Sequence, residues 1–405
     1  MIKQSSTRNM MLLTLIVMDI LTGMEFDLFV PSFPELQSHF DISPFWVEAL
    51  LSVNFIGFFF SLFIVASLAD RYGRKPVILA GLAIFILGSC LCLWAWNYRI
   101  LLTGRFLQGL GIASPSILSF VIIADSYDLK QQQRFMAILN GLMNISAGAA
   151  PVLGSYITMY FNWHGNFATL LLMGLITSAM AIFFIPAGKK SECQEPATAG
   201  GYISIFKSKT LMFLIISLVF SFVPYWVFVG MSPLLYMKDL GVSLAEFGYY
   251  QGSFAFIFAL GSVFYGLIIN KYDQRKMLYI SNLIWFFSLI MITLACMMNC
   301  RSPLLIMLAF LPYVIGQIIP TTILYPLCVN LMPEAKARVS AIIQGARLIL
   351  SGLSLQIAGF YYTGSFQNIG MIMSIFITFA IVSMFLIFKN RELMKFVEEQ
   401  PHTSN

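Results

Sequence analysis

Charge is scarce in this chain of 405 residues: Asp, Glu, Lys and Arg make up 10% of it, against 59% apolar residues. Soluble globular proteins carry roughly 25% charge, so the ionisable groups here cannot coat water-exposed domains. Most of the chain needs a bilayer as its solvent, which excludes a sizeable extramembrane catalytic domain. Histidine is scarcer still, with His39 and His164 expected in outer loops and His402 in the tail. No nucleophile stands beside a base, so an enzyme is not expected. The six cysteines, at 90, 92, 193, 296, 300 and 328, form neither CxxC pairs nor metal-spaced sets with histidine, and are read as free thiols with no metal site. No GxxxxGK[ST] phosphate loop occurs, so ATP-driven transport is not expected.

What the chain has instead is long apolar runs, with 38 Phe, 23 Met and 28 Gly and a mean hydropathy of +0.83. A helix needs about 20 apolar residues to cross the hydrocarbon core. That length predicts twelve spans, at 10–30, 46–68, 77–97, 100–124, 135–158, 166–186, 211–233, 247–269, 277–298, 303–330, 338–361 and 367–388. The runs are continuously apolar, without the ten-residue alternation of barrel strands. The expected fold is therefore an all-α, multi-pass membrane protein. Residues 1–30 have a basic start but no small-residue cleavage site, and read as a retained first span.

The net charge of +6 lies in short loops, with no basic face for a nucleic acid. It follows topology. With both termini in the cytoplasm, 19 of the 24 Lys and Arg fall inside, only Arg99, Lys238 and Arg301 fall outside, and Arg105 and Arg347 stay within spans. The longest polar stretch, KKSECQEPATAGG, reads as a flexible linker. The expected organisation is a six-helix bundle over 1–188, a cytoplasmic linker over 189–208, a second six-helix bundle over 209–390 and a cytoplasmic tail over 391–405. A weak repeat supports two halves: a shift of 200 sets Asp70, Arg71, Tyr72 and Lys75 against Asn270, Lys271, Tyr272 and Arg275. Parallel repeats of this kind are a transporter architecture.

Ionised groups at mid-membrane cost roughly 2.5–3.5 kcal/mol on insertion scales, so they mark function by default. Span one carries Asp19, Glu25 and Asp27, span four Arg105 and span eleven Arg347. On a continuous helix Asp27 lies about 80° around from Asp19, so both can face one cavity, while Glu25 points nearer the outer surface. A buried acid can trade its proton for a bound cation, which is the chemistry of proton antiport.

Several motifs place the chain in a family. SLADRYGRKP, from Ser67 to Pro76, resembles the GxLxDRxGRKP loop of the major facilitator superfamily, with Asp70, Arg71, Gly73, Arg74, Lys75 and Pro76 matching and Ala66 in place of Gly. Clustered cations there can latch a carboxylate at a neighbouring helix end, and Asp125 is the expected partner of Arg71 or Arg74. LLTGRFLQGLG, with Arg105, Gln108 and Gly109, resembles that superfamily's fourth span. NISAGAAPVLGS, with Gly148, Pro151 and Gly154, is similar to the drug-exporter motif GPxxGG, Ala150 and Ser155 replacing two glycines. The paired acids Asp19 and Asp27, the latter shortly before Pro31, resemble those of the MdfA/MdtM-type multidrug/proton antiporters of bacterial inner membranes.

The resemblance implies a major facilitator fold of two six-helix pseudo-repeats, rocker-switch alternation, and competition of protons with cationic or neutral drugs at Asp19 and Asp27. It implies that Arg105 tunes proton release, and that Leu51, Leu139, Met143, Tyr225, Trp226 and Val229 line the binding cavity. The expected protein is a monomeric drug exporter in contact with membrane lipid, with no cofactor and a proton gradient as driving force. Arg347 departs from the pattern and opens an alternative, a proton-coupled carrier of an anionic or zwitterionic metabolite such as a siderophore or amino-acid derivative.

Overall fold

In lipid every backbone N–H and C=O must find a partner within the protein, which leaves helices as the form for continuous apolar runs. The computed structural model describes residues 2–186, 205–268, 272–332 and 335–389, and the regular elements over them are helical throughout. In chain order they are α1 (Ile2–Glu25), α2 (Phe33–Phe40), α3 (Pro44–Tyr72), α4 (Arg74–Leu93), α5 (Tyr98–Ser126), α6 (Leu129–Phe184), α7 (Lys209–Phe220), α8 (Val223–Pro233), α9 (Leu244–Ile268), α10 (Gln274–Met297), α11 (Pro303–Asn330), α12 (Lys336–Tyr361) and α13 (Phe366–Lys389).

Among the described residues nine stretches are long and apolar enough to cross a membrane. One of them lies within α6, whose 56 residues would run to about 84 Å at 1.5 Å per residue, nearly three crossings of a 30 Å core. The chain turns at Asn162, which takes the left-handed φ of 55°, so α6 supplies the expected spans five and six. The first and eighth expected spans fall on α1 and α9, which are not among those nine stretches.

Two expected spans are broken where proline interrupts the ladder of hydrogen bonds. The first was expected to run to residue 30, but α1 ends at Glu25 and is followed by a turn, the 3-10 helix Val30–Ser32 and α2. Pro31 and Pro34 lack the N–H that a continuing helix needs. Asp27 therefore sits in the turn and not on α1, and the 80° relation to Asp19 does not hold. The seventh span is split at Ser221 and Phe222, ahead of Pro224. The Ser221 carbonyl oxygen accepts from Tyr313 Oη at 2.6 Å and from Gln317 Nε2 at 2.6 Å, so the interruption leaves it satisfied.

Contacts divide the chain into two compact units, Met1–Ala197 with Ser243–Ala255, and Thr198–Val242 with Phe256–Asn405. In the first unit α5 packs against α3 and α4, and α1 against α6. In the second, α10 packs on α11 and α13. The linker over 189–204, the repeat positions Asn270 and Lys271 and the tail from residue 390 lie outside the described residues.

Candidate functional site

Close backbone approach builds the first unit's interior. A Cβ at Gly109 of α5 would lie 2.0 Å from the Asn54 carbonyl oxygen of α3, and one at Gly154 of α6 would lie 1.9 Å from that of Leu28. Only glycine allows α5 to approach α3, and α6 to approach the turn after α1, this closely. The approach brings α1, α3, α4 and α5 within reach of one buried polar network.

Arg105 is its centre. The side chain is wholly buried, and its Nη1 donates to Glu25 Oε1 at 2.7 Å and to Gln108 Oε1 at 2.7 Å. Its Nε reaches the Leu50 carbonyl at 3.3 Å, and the guanidinium lies 4.0 Å from the centre of the Phe29 ring. Asn54 Nδ2 donates to the same Glu25 oxygen at 2.7 Å and to the Arg105 carbonyl at 3.0 Å. Gln108 Nε2 donates onward to Ser89 Oγ at 2.9 Å. A buried pair needs such added hydrogen bonds to offset its desolvation. Glu25, expected near the outer surface, is instead fully buried, because the chain turns after it and the next residues fold over α3.

The two expected proton-coupling acids stand apart from this pair. Asp19 is fully buried on α1; Ser119 Oγ of α5 donates to its Oδ1 at 3.2 Å, while Oδ2 has no partner among the described residues. Asp27 is 5% exposed, and its Oδ1 has no partner among the described residues. Among the described residues neither acid pairs with a cation, and Arg105 reaches Glu25 alone of the three acids of the first expected span. The intramembrane acids also include Glu48, buried in α3 and inside the second expected span, which the sequence reasoning missed although its position within 46–68 was a signal. Asn54 and Gln108 had no such signal, since an amide gains its role only from the neighbour it meets.

Of the expected lining residues, Leu51 and Leu139 in the first unit are buried and Met143 is half-buried; in the second, Val229 is buried and Tyr225 and Trp226 are half-buried, with rings 5.7 Å apart. Arg347, in the second unit, stacks 3.1 Å from the Phe222 ring centre and donates to Gln344 Oε1 at 2.7 Å. Its Nε has no partner among the described residues.

At the far end of α3 the loop motif forms a three-residue contact. Arg74 Nη1 meets Asp70 Oδ1 at 2.6 Å and Arg74 Nε meets Asp125 Oδ2 at 3.4 Å, whereas Arg71 lies over the Tyr72 ring. Gly73 takes the φ of 92° that separates α3 from α4. Both acids are more than half exposed, so each pair is worth about 0–1 kcal/mol, less than the few kcal/mol a buried latch would give. In the span-five motif, a Cβ at Gly248 of α9 would lie 3.0 Å from the Pro151 carbonyl, and one at Gly252 2.9 Å from that of Gly148. The Tyr156 and Tyr249 hydroxyls share a 2.8 Å hydrogen bond beside them.

Comparison with known proteins agrees with this architecture. The chain is 26% identical over 317 residues to the bicyclomycin resistance protein homolog of Haemophilus influenzae, covering 77% of this chain and 78% of that protein. It is 30% identical over 224 residues to the multidrug resistance protein MdtL of Escherichia coli O139:H28, a match over 55% of this chain and little more than half, 56%, of that protein. In fold it resembles a D-xylose-proton symporter, with a TM-score of 0.74 at 15% identity over 93% of this chain and 96% of that one. It resembles equally an inward-facing bacterial homolog of the human lysosomal transporter Spinster, with a TM-score of 0.74 at 16% identity over 96% and 98%. The sequence profile of the Major Facilitator Superfamily matches residues 15–355 and again 214–402, so the chain belongs to that superfamily of membrane transporters.

Proposed function

We propose that this chain is a proton-coupled exporter of amphiphilic cationic or neutral drugs, working by alternating access across the bacterial inner membrane with both termini in the cytoplasm. The observation that carries the reading is the division of labour among the buried charges: Arg105 is neutralised by Glu25, and among the described residues Asp19 and Asp27 have no cationic partner. A carboxyl so placed is stable when it holds a proton or when a cation replaces that proton, since a lone buried carboxylate is costly. Proton and cationic cargo then exclude one another at these acids, and export of one is tied to entry of the other. The names of the relatives, multidrug and bicyclomycin resistance proteins, support drugs as the cargo class.

On this reading Leu51, Leu139, Met143, Tyr225, Trp226 and Val229 contact the drug, with the pliant thioether and aromatic faces accommodating varied shapes. Asp70, Arg71, Gly73, Arg74 and Asp125 bias which side is open, and Gly148, Pro151 and Gly154 set the bend and packing of span five. The transporter works as a monomer in contact with lipid, and the proton gradient takes the place of a cofactor.

In everted vesicles holding a proton gradient, tetraphenylphosphonium should release protons from the wild type, and Asp19→Asn with Asp27→Asn should abolish the release. Undiminished release in that double variant refutes the reading. Arg347 favours a second one, in which its guanidinium, with no carboxylate partner among the described residues, binds an anionic or zwitterionic metabolite. In the same vesicles that reading requires carboxylates to displace the cargo where organic cations fail, and Arg347→Ala to reverse the preference.

A further inference from the structure

Glu48 is the buried acid with the least support around it. It lies just beyond the first turn of α3, which Pro44 opens, and it is 0% exposed. Neither Oε1 nor Oε2 has a hydrogen-bond partner among the described residues. Glu25 in the same unit takes a guanidinium and an amide; Glu48 takes neither.

Among the described residues, the charged and titratable groups on the elements packed against α3 are engaged elsewhere, exposed, or not shown in contact with Glu48. On α5, Tyr98 Oη donates to the Trp46 carbonyl at 2.6 Å, Arg99 is exposed, Arg105 is paired with Glu25, and Asp125 meets Arg74 at the opposite end. On α2, Glu35 accepts from the Trp163 amide at 2.9 Å, and His39 packs against Phe40 and Trp163. On α4, the Cys92 thiol is bonded to the Leu101 carbonyl and Gln108, and Cys90 is half-buried. On α3 itself Asp70 and Arg71 are about 33 Å away along the helix. An isolated carboxylate in such surroundings is an uncompensated buried charge, whereas the neutral acid carries none.

We propose that Glu48 is a further proton-carrying site of the transporter, buried as the carboxylic acid and deprotonated when the first turns of α3 are opened to water during the cycle. In that step the O–H bond breaks and the proton passes to water, leaving a carboxylate; reburial requires the reverse. The inference rests on the proton-coupled reading above and adds to it a site on a different helix.

The test uses the purified full-length protein in detergent with a pH indicator. Tetraphenylphosphonium binding should release fewer protons from Glu48→Gln than from the wild type at equal occupancy. Separately, dicyclohexylcarbodiimide, which attacks protonated carboxyls in apolar surroundings, should modify wild-type Glu48, with labelling that falls as the pH is raised and is absent from Glu48→Gln. Proton release undiminished in Glu48→Gln overturns the Glu48 site and leaves the coupling reading standing. A wild type that releases no proton overturns the coupling reading, and the transport role of Glu48 with it. The labelling is read on the wild type, so a variant that fails to fold does not block the test, and no adduct at Glu48 at any pH where the protein stays folded overturns the proposal.

Discussion

Arg105 shows what one charge does in a dry interior. Its attraction to Glu25 is offset by the desolvation of both groups, and the pair persists because Asn54, Gln108 and the Leu50 carbonyl take up further hydrogen-bonding positions. Removing one partner is therefore worse than removing both. Arg105→Ala should destabilise the protein by about 3–5 kcal/mol, the cost of a stranded buried charge. Arg105→Met with Glu25→Gln should lose much less, and thermal unfolding in detergent compares the two. Equal losses in the single and double variants would contradict the pairing. The unusual placement of Asp19 and Arg105, both fully buried, is legible in the sequence because a charge inside an apolar run is rare. The pairing of Arg105 with Glu25 is not, since it depends on where α1 stops. Glu48 shows the other side of this: its residue type and place are plain in the chain, but its lack of partners is a property of the neighbours.

At the scale of the element, the breaks matter more than the lengths. α1 ends before two prolines, and the short α2 that follows uses Glu35 to accept the Trp163 amide at the point where Asn162 turns α6 back. Spans are legible from apolar length alone. Whether a proline bends or ends a helix depends on distant groups that receive the freed carbonyls, as Tyr313 and Gln317 do for Ser221. The outer corner around Trp163 also carries a pH response. Burial pushes the Glu35 carboxyl above its ordinary 4.5, against the Trp163 amide and His39. Burial, with His39 adding to it, pulls His164 below its ordinary 6.5 as that ring stacks 3.6 Å from Trp163. The signs oppose. The Glu35 contribution is complete below 4.5 and is lost as the pH rises through its folded value, while that of His164 is complete above 6.5 and is lost as the pH falls through its folded value. His164→Gln should thus flatten the decline of Tm between about pH 7 and about pH 5. The effect is small because His164 is largely solvent-screened, and a parallel pair of Tm profiles would refute it.

For the molecule as a whole, the distribution of Lys and Arg predicts a topology that apolar length cannot. Green fluorescent protein fused after residue 389 should fluoresce, and alkaline phosphatase fused there should be inactive. The same phosphatase inserted in the loop between α4 and α5, beside Asn97, should be active. The reverse pattern would overturn the orientation with both termini in the cytoplasm. The superfamily is legible in the loop after α3 and in the GRFLQGLG run, because both encode backbone turns and close approaches that tolerate few substitutions.

Those approaches have a mechanical result. Where Gly109 lies against Asn54 and Gly154 against Leu28, main chain abuts main chain with no flexible side chain between them to act as a bearing. Segments keyed together in this way, α5 on α3 and α6 on the turn after α1, have little room to slide past one another. On the proposed proton-coupled reading, a titration that shifts one of these segments would carry its keyed neighbour with it, which is how a local chemical event could grow into a larger movement.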